Sequence, residues 1–264
     1  MEGTPVLSAL DGGVLTLTLN RPERLNAMNN PLIEAMNREL ARARDDDKIR
    51  AVLLTGTGRA FCAGADLAGG SPVDFAAGPP DLGADMDRIF NPMIRAMREL
   101  PKPIVGAING VAAGGGANFA LACDIVLAAR SARFDQAFVR ISLMPDLGGS
   151  WFLPHTVGDA RARALAMLGS SLPAEEAERM GMVWQVFDDA ALMAEATKLA
   201  RRLASGPTLS YAAIKRAINS AATNTLDQQL DLERDSQRAL GQSADFREGV
   251  AAFLAKRPAQ FTGQ

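Results

Sequence analysis

Histidine is almost missing from this 264-residue chain, which has only His155. A zinc site built on histidines therefore has no ligand set. Cysteine is scarce too: Cys62 and Cys123 both sit among apolar residues, so no disulfide framework is expected and a cytosolic setting fits. No run reaches the roughly 18 apolar residues of a membrane span. The opening Met1-Glu2-Gly3-Thr4 lacks the basic and apolar regions of a signal peptide. An excess of one charge is absent as well, since 28 Lys and Arg stand against 30 Asp and Glu, a net charge of −2. That argues against nucleic acid as the main partner, while leaving room for a local basic pocket for an anion. What remains is 48% hydrophobic and 22% charged, the composition of one globular domain or of one domain with a helical appendage.

What is present in quantity is glycine, and it is concentrated where it matters. Residues 104–128 read as a buried strand (104–108), a glycine turn (Gly114-Gly115-Gly116), a short apolar helix (about 116–123) and a second strand (125–128). Glycines at a helix start let a ligand approach bare backbone, and the first N–H groups there have no partner inside the helix. This is a potential oxyanion or phosphate site that needs a second donor. A tight strand-to-helix crossing where only glycine fits explains the same pattern. No Gly-Lys-Ser/Thr follows, so it is not a P-loop, and the three adjacent glycines do not match the spaced dinucleotide fingerprint.

The rest of the chain supplies the frame. Residues 6–10 and 13–19 alternate around Asp11-Gly12-Gly13 as a hairpin. Asn30-Pro31 reads as an N-cap with proline at the first helical position, and Ile33, Met36 and Leu40 carry that helix to about 44. Ala51–Gly56 is a buried strand, and a helix covers about 83–99. Residues 68–82, rich in Gly, Pro and Ala, suit either a flap over a site or a surface insertion. Helices are expected at about 157–168 and 173–180, and a strand at 183–187. Helices follow at 189–204, 207–221, 225–240 and 243–256.

Phe61-Cys62-Ala63-Gly64-Ala65-Asp66-Leu67 and Asn109-Gly110-Val111-Ala112-Ala113-Gly114-Gly115-Gly116 resemble the enoyl-CoA hydratase/isomerase (crotonase) superfamily. Leu19-Asn20-Arg21-Pro22 and Phe253-Leu254-Ala255-Lys256-Arg257 match it as well, so the resemblance spans the chain. It implies an α/β spiral of strand-strand-helix repeats (1–200) with a helical C-terminal trimerisation region (201–264), assembled as a trimer or a dimer of trimers. It also implies an acyl-CoA substrate and no separate cofactor, coenzyme A entering as part of the substrate. By motif match, the N–H groups of Ala63 and Gly115 would grip the thioester oxygen. Arg24, Leu25, Ala63, Ala65, Asp66 and Leu67 would line the CoA arm. Phe253 and Lys256 would close on its nucleotide end from a neighbouring subunit.

One departure bears on the reaction. Family hydratases hold a water between two glutamates, and at those positions this chain has Asn118 and Phe138. Neither exchanges a proton at neutral pH, so hydration should be poor. Gln136 through Pro154 is similar to the phenylacetate-pathway branch, whose members convert the ring 1,2-epoxide of phenylacetyl-CoA to the seven-membered oxepin-CoA. In that branch the residue matching Asp146 is the catalytic carboxylate, and apolar Phe138, Leu143 and Leu147 would raise its pKa. Asn118 would hydrogen-bond substrate or a water, or simply fill the space of the missing glutamate. Other readings are a 3-enoyl-CoA to 2-enoyl-CoA isomerase, an aspartate nucleophile acting on haloaryl-CoA, a non-catalytic or RNA-binding relative, and, for Asp146, a cap on the following glycine turn.

Overall fold

The computed structural model describes residues 3–67, 78 and 81–264. Apart from residues 78, 81 and 82, the stretch read as a flap lies outside the described residues. The hairpin is present as β1 (Val6–Asp11) and β2 (Val14–Leu19), paired antiparallel across Gly12-Gly13. Asn29, one residue earlier than expected, caps α1 (Asn30–Asp45), its Oδ1 accepting the Leu32 N–H at 3.1 Å. The other end of α1 is closed by a distant residue. Lys102 Nζ donates to the carbonyls of Ala43 (2.6 Å) and Asp46 (2.8 Å).

Three strand-strand-helix turns follow. The first is β3 (Ala51–Gly56), β4 (Ala60–Cys62), the short α2 (Leu82–Asp85), one π-helical turn (Met86–Phe90) and α3 (Asn91–Glu99). The second is β5 (Ile104–Ile108), β6 (Val111–Ala113) and α4 (Gly115–Leu121). The third is β7 (Ile125–Ala129), β8 (Arg133–Asp135), a 3₁₀ turn (Ala137–Ile141), α5 (Gly149–Val157) and α6 (Asp159–Leu168). Then come β9 (Ser171–Pro173), α7 (Ala174–Arg179), β10 (Gln185–Phe187) and α8 (Leu192–Ala204). Helices α9 (Thr208–Ala221), α10 (Leu226–Leu240) and α11 (Ala244–Leu254) complete the chain.

Each turn of the spiral gives its first strand to one sheet and its second to another. The larger sheet runs β1-β2-β3-β5-β7-β10, parallel from β2 onward; the smaller runs β4-β6-β8-β9. Every residue of β5 is buried, as expected for a parallel strand covered on both faces. Along α8, Leu192, Ala196, Ala200 and Leu203 form a buried stripe against β3 and β5. This helix crosses residue 200 without a break.

Side chains tie α9 to the spiral, among them Lys215 and Arg50. Lys215 Nζ reaches Asp124 Oδ2 (2.8 Å) and the Met97 carbonyl (2.7 Å). Arg50 reaches Thr208 Oγ1 and the Phe261 carbonyl, both at 3.0 Å. The outer faces of the last three helices leave Ile218 (67% exposed), Leu226 (74%), Phe253 (82%) and Leu254 (76%) uncovered.

Candidate active site

Two loops and one helix start converge. The segment Leu25–Met28 runs beside Ala63–Asp66 as a short parallel pair. Ala63 N–H donates to the Leu25 carbonyl (3.0 Å), Met28 N–H to Gly64 (2.7 Å) and Asp66 N–H to Met28 (2.9 Å). A buried ion pair, Arg21 Nη2 to Asp66 Oδ2 at 2.9 Å, fastens the two loops, and Arg21 Nη1 also holds the Ala27 carbonyl at 2.6 Å. Asn26 fixes the corner, with Oδ1 on the Arg21 N–H and Nδ2 on the Thr57 and Ala60 carbonyls. Leu25 and Asn26 both take positive φ, at 52° and 56°.

These bonds correct two expectations. The Ala63 N–H is already committed to Leu25, so it is not free for a thioester oxygen. Ala65, two residues on and exposed, donates its N–H to no group among the described residues. Asp66, expected along the CoA arm, is 3% exposed and its carboxylate is paired to Arg21. Of the remaining CoA-arm candidates, Arg24, Ala65 and Leu67 are exposed along this pair of loops and Leu25 is half-buried.

The helix start is α4. Gly114 precedes it at φ 52°, ψ −126°, a conformation open to glycine, and its N–H donates to the Asp135 carbonyl (2.8 Å). Gly115, buried, donates its own N–H to nothing among the described residues. Gly64 brings the loop close: a methyl group on it would stand 3.4 Å from the Gly115 nitrogen. The Ala65 and Gly115 N–H groups therefore belong to neighbouring pieces of chain. Gly116 is required for packing, because a side chain there would overlap the Cys62 carbonyl.

Asp146 completes the arrangement. A methyl group on Gly115 would meet Leu147 Cδ1 and Met28 Cε at 3.1 Å and Asp146 Oδ1 at 3.4 Å, so the carboxyl stands over the glycine turn. Its Oδ1 is buried and has no hydrogen-bond partner among the described residues. Burial pushes Asp146 up to about 6, partly offset by a bond to its own main chain. The expected cap role is taken by its carbonyl instead, which accepts the Gly149 N–H at 2.8 Å. Leu147 and Phe138 supply buried apolar wall, Phe138 lying 3.8 Å from where a Gly114 side chain would begin. Leu143, expected in the same wall, is 41% exposed.

Asn118 is fully buried one helical turn after Gly115, with Nδ2 on the Asp146 carbonyl (2.8 Å) and Oδ1 accepting from Gln136 Nε2 (2.9 Å). Both ends of its amide are used within the protein. Arg21, Asn26 and Gln136 escaped sequence reasoning. Their signal was weak, a lone polar residue beside a motif, and only long-range contacts give them meaning. Phe253 and Lys256 are exposed on or just beyond α11, and no hydrogen bond or ion pair of their side chains connects them to this site. His155 stacks on Trp151 (4.3 Å between rings), with Nδ1 at 2.6 Å from the Trp151 carbonyl, so its contacts lie within α5.

A cleft of about 560 Å³ between the end of α3 and helices α9 and α10 is lined by none of the expected site residues. Among the described residues, no group of three His, Cys, Asp or Glu side chains could hold a metal ion. No described helix is long and apolar enough to cross a membrane.

Comparison with known proteins agrees across the chain. The family profile described as enoyl-CoA hydratase/isomerase matches residues 10–264. A 1,2-epoxyphenylacetyl-CoA isomerase of Escherichia coli (strain K12) is 56% identical over 98% of both chains. A protein named "Probable enoyl-CoA hydratase" from Rhodobacter capsulatus is 47% identical over 96% of this chain and 95% of its own. The crystal structure of an enoyl-CoA hydratase from Polaromonas sp. JS666 superposes with a TM-score of 0.89 at 35% identity, covering 97% of this chain and 99% of that one.

Proposed function

The chain belongs to the enoyl-CoA hydratase/isomerase family, and from that premise we propose that it acts on a CoA thioester and isomerises the ring 1,2-epoxide of phenylacetyl-CoA to oxepin-CoA with Asp146 as the proton carrier. The observation that carries this reading is the carboxyl over Gly115: half-buried, with one buried oxygen that has no partner among the described residues, and raised to about 6. The N–H groups of Ala65 and Gly115 bind the thioester oxygen. Asp146 removes a proton from the adjacent carbon, and the negative charge moves onto the oxygen held by the two N–H groups. One such preorganised donor contributes on the order of a hundredfold or more in rate.

The ring chemistry needs no further group. An arene epoxide and its oxepin interconvert when the shared ring bond opens. What is left is a proton shift, from the carbon beside the thioester to the ring carbon two bonds away. The double bond moves into conjugation, and Asp146 ends the cycle ionised. The same step converts a 3-enoyl-CoA to a 2-enoyl-CoA, which is the second reading. Hydration is disfavoured because neither Asn118 nor Phe138 can act as an acid or base at neutral pH, and Phe138 keeps that side of the turn apolar. The loops that carry Arg24, Leu25, Ala65 and Leu67 receive the CoA arm. Helices α9–α11 join three chains through their uncovered apolar side chains, and Phe253 and Lys256 reach the nucleotide end of a neighbour's ligand. The two buried free thiols, Cys62 and Cys123, suit a cytosolic enzyme.

The test offers the ring epoxide, a 3-enoyl-CoA and a 2-enoyl-CoA to the same preparation and follows thioester conjugation. The expected order of kcat/KM is epoxide, then 3-enoyl, with water addition to the 2-enoyl substrate slowest. Asp146→Asn should lose roughly 10²–10⁴-fold in kcat. Undiminished turnover in that variant removes Asp146 from the chemistry. A faster 3-enoyl reaction transfers the assignment to the second reading.

A further inference from the structure

We propose that Gln136 and Asn118 are positioning residues that hold Asp146 in place over Gly115 through Asp146's own main-chain carbonyl. The inference rests on the reading of Asp146 as the proton carrier. A carbonyl oxygen can only accept, and that of Asp146 takes two donors, Gly149 N–H and Asn118 Nδ2, both at 2.8 Å. This fixes which way the Asn118 amide faces. Its Oδ1 must then face Gln136, which has to present Nε2, at 2.9 Å. The polarity of the chain is thus set from the Asp146 end outward. The cost appears at the far end, where Gln136 is 3% exposed and its Oε1 has no partner among the described residues.

The segment being held would not keep its shape unaided. Leu147 sits at φ 47° and Gly148 at φ 79°, and Gly149 packs so closely on the Asn118 amide that any side chain would overlap it. Asn118 lies on the same helix as Gly115, three residues on. One rigid element therefore carries a proposed oxyanion donor at its first residue and the bracket for the acid one turn later. Small misplacement of a reacting group is expensive, about 10²-fold for 1 Å. Asn118 acts here as donor and acceptor together, a role no carboxylate could fill at neutral pH.

The variants separate positioning from plain folding. The side chains that crowd the Gly115 turn beside Asp146 Oδ1, Met28 and Leu147, do not titrate, and burial is the leading cause of its raised pKa. Asp135, next to Gln136, is paired with Arg133 at 3.3 Å. Gln136→Met, similar in length and unable to donate, frees the Asn118 amide. Its kcat should fall about tenfold with KM within twofold. The low-pH limb of kcat/KM should move down as Asp146 gains access to water. Asn118→Asp keeps the shape but sets a negative charge against the Asp146 carbonyl, so its limb should move up. Opposite shifts in two folded variants support the relay. Unmoved limbs, with activity tracking the folded fraction by circular dichroism, overturn it. Asp146→Asn runs alongside: if that variant stays active, the reading of Asp146 has failed rather than the relay.

Discussion

At the scale of single residues, Asp146 links reaction and stability through one property, its burial. In the proposed reaction the carboxylate form removes the proton, so kcat/KM should rise with pH through about 6 and then level off. The stability effect has the opposite sense. A carboxyl whose folded-state pKa lies above 3.8 holds its proton more tightly in the fold than in the unfolded chain. That favours the fold below about pH 4 and is lost as the pH rises to about 6. Above 6 the buried charge costs on the order of 2–3 kcal/mol. Asp146→Asn should therefore melt a few degrees higher than the parent at pH 7.5, and the gap should close toward pH 4. A gap that ignores pH contradicts this account. Gly116→Ala should fail differently, through loss of soluble folded protein, because its methyl group overlaps the Cys62 carbonyl. Gly115 drew attention in the sequence because a glycine triplet stands out, whereas Asp146 was singled out through the family resemblance of residues 136–154. The free donor at Ala65 was not legible, since it depends on which main-chain N–H the Leu25–Met28 loop consumes.

Among the elements, length governed legibility. The buried six-residue β3, the hairpin, α1 and the C-terminal helices carry enough periodicity to be read. The smaller sheet is built from three-residue strands, β4, β6, β8 and β9, too short to show alternation. Helix α5 was hidden by Gly148-Gly149 at one end and Pro154 inside it. The tie between α9 and the spiral was invisible because its partners are 91 residues apart. Burial pulls Lys215 down and pushes Asp124 up, each resisted by the attraction of the other. Removing one partner leaves a buried charge uncompensated. Lys215→Met should cost about 3–5 kcal/mol in urea denaturation. The double variant Lys215→Met with Asp124→Leu should recover much of it. If the single variant is neutral, Lys215 does not anchor α9.

For the whole molecule, the proposed assembly is open to direct measurement. Sedimentation at equilibrium should give about three times the chain mass of 27.9 kDa, or a doubling of that. Replacing Ile218, Leu226 and Leu254 by serine should release single chains, and a parent that sediments as one chain ends the trimer proposal. Beneath the site, Phe61 and Phe119 stack with ring centres 5.9 Å apart. Phe61 precedes the Ala65 loop, and Phe119 directly follows the bracket residue on α4. The loop donor, the helix donor and the anchor of the acid thus share one foundation. Disturbing that foundation should tilt them as a set and leave their mutual spacing nearly intact, like instruments bolted to a common bench. Phe119→Leu should accordingly lower the melting temperature while kcat per folded molecule stays close to the parent value. The catalytic geometry would then be tolerant of drift in the core below it and vulnerable chiefly at the few contacts that join one instrument to the next.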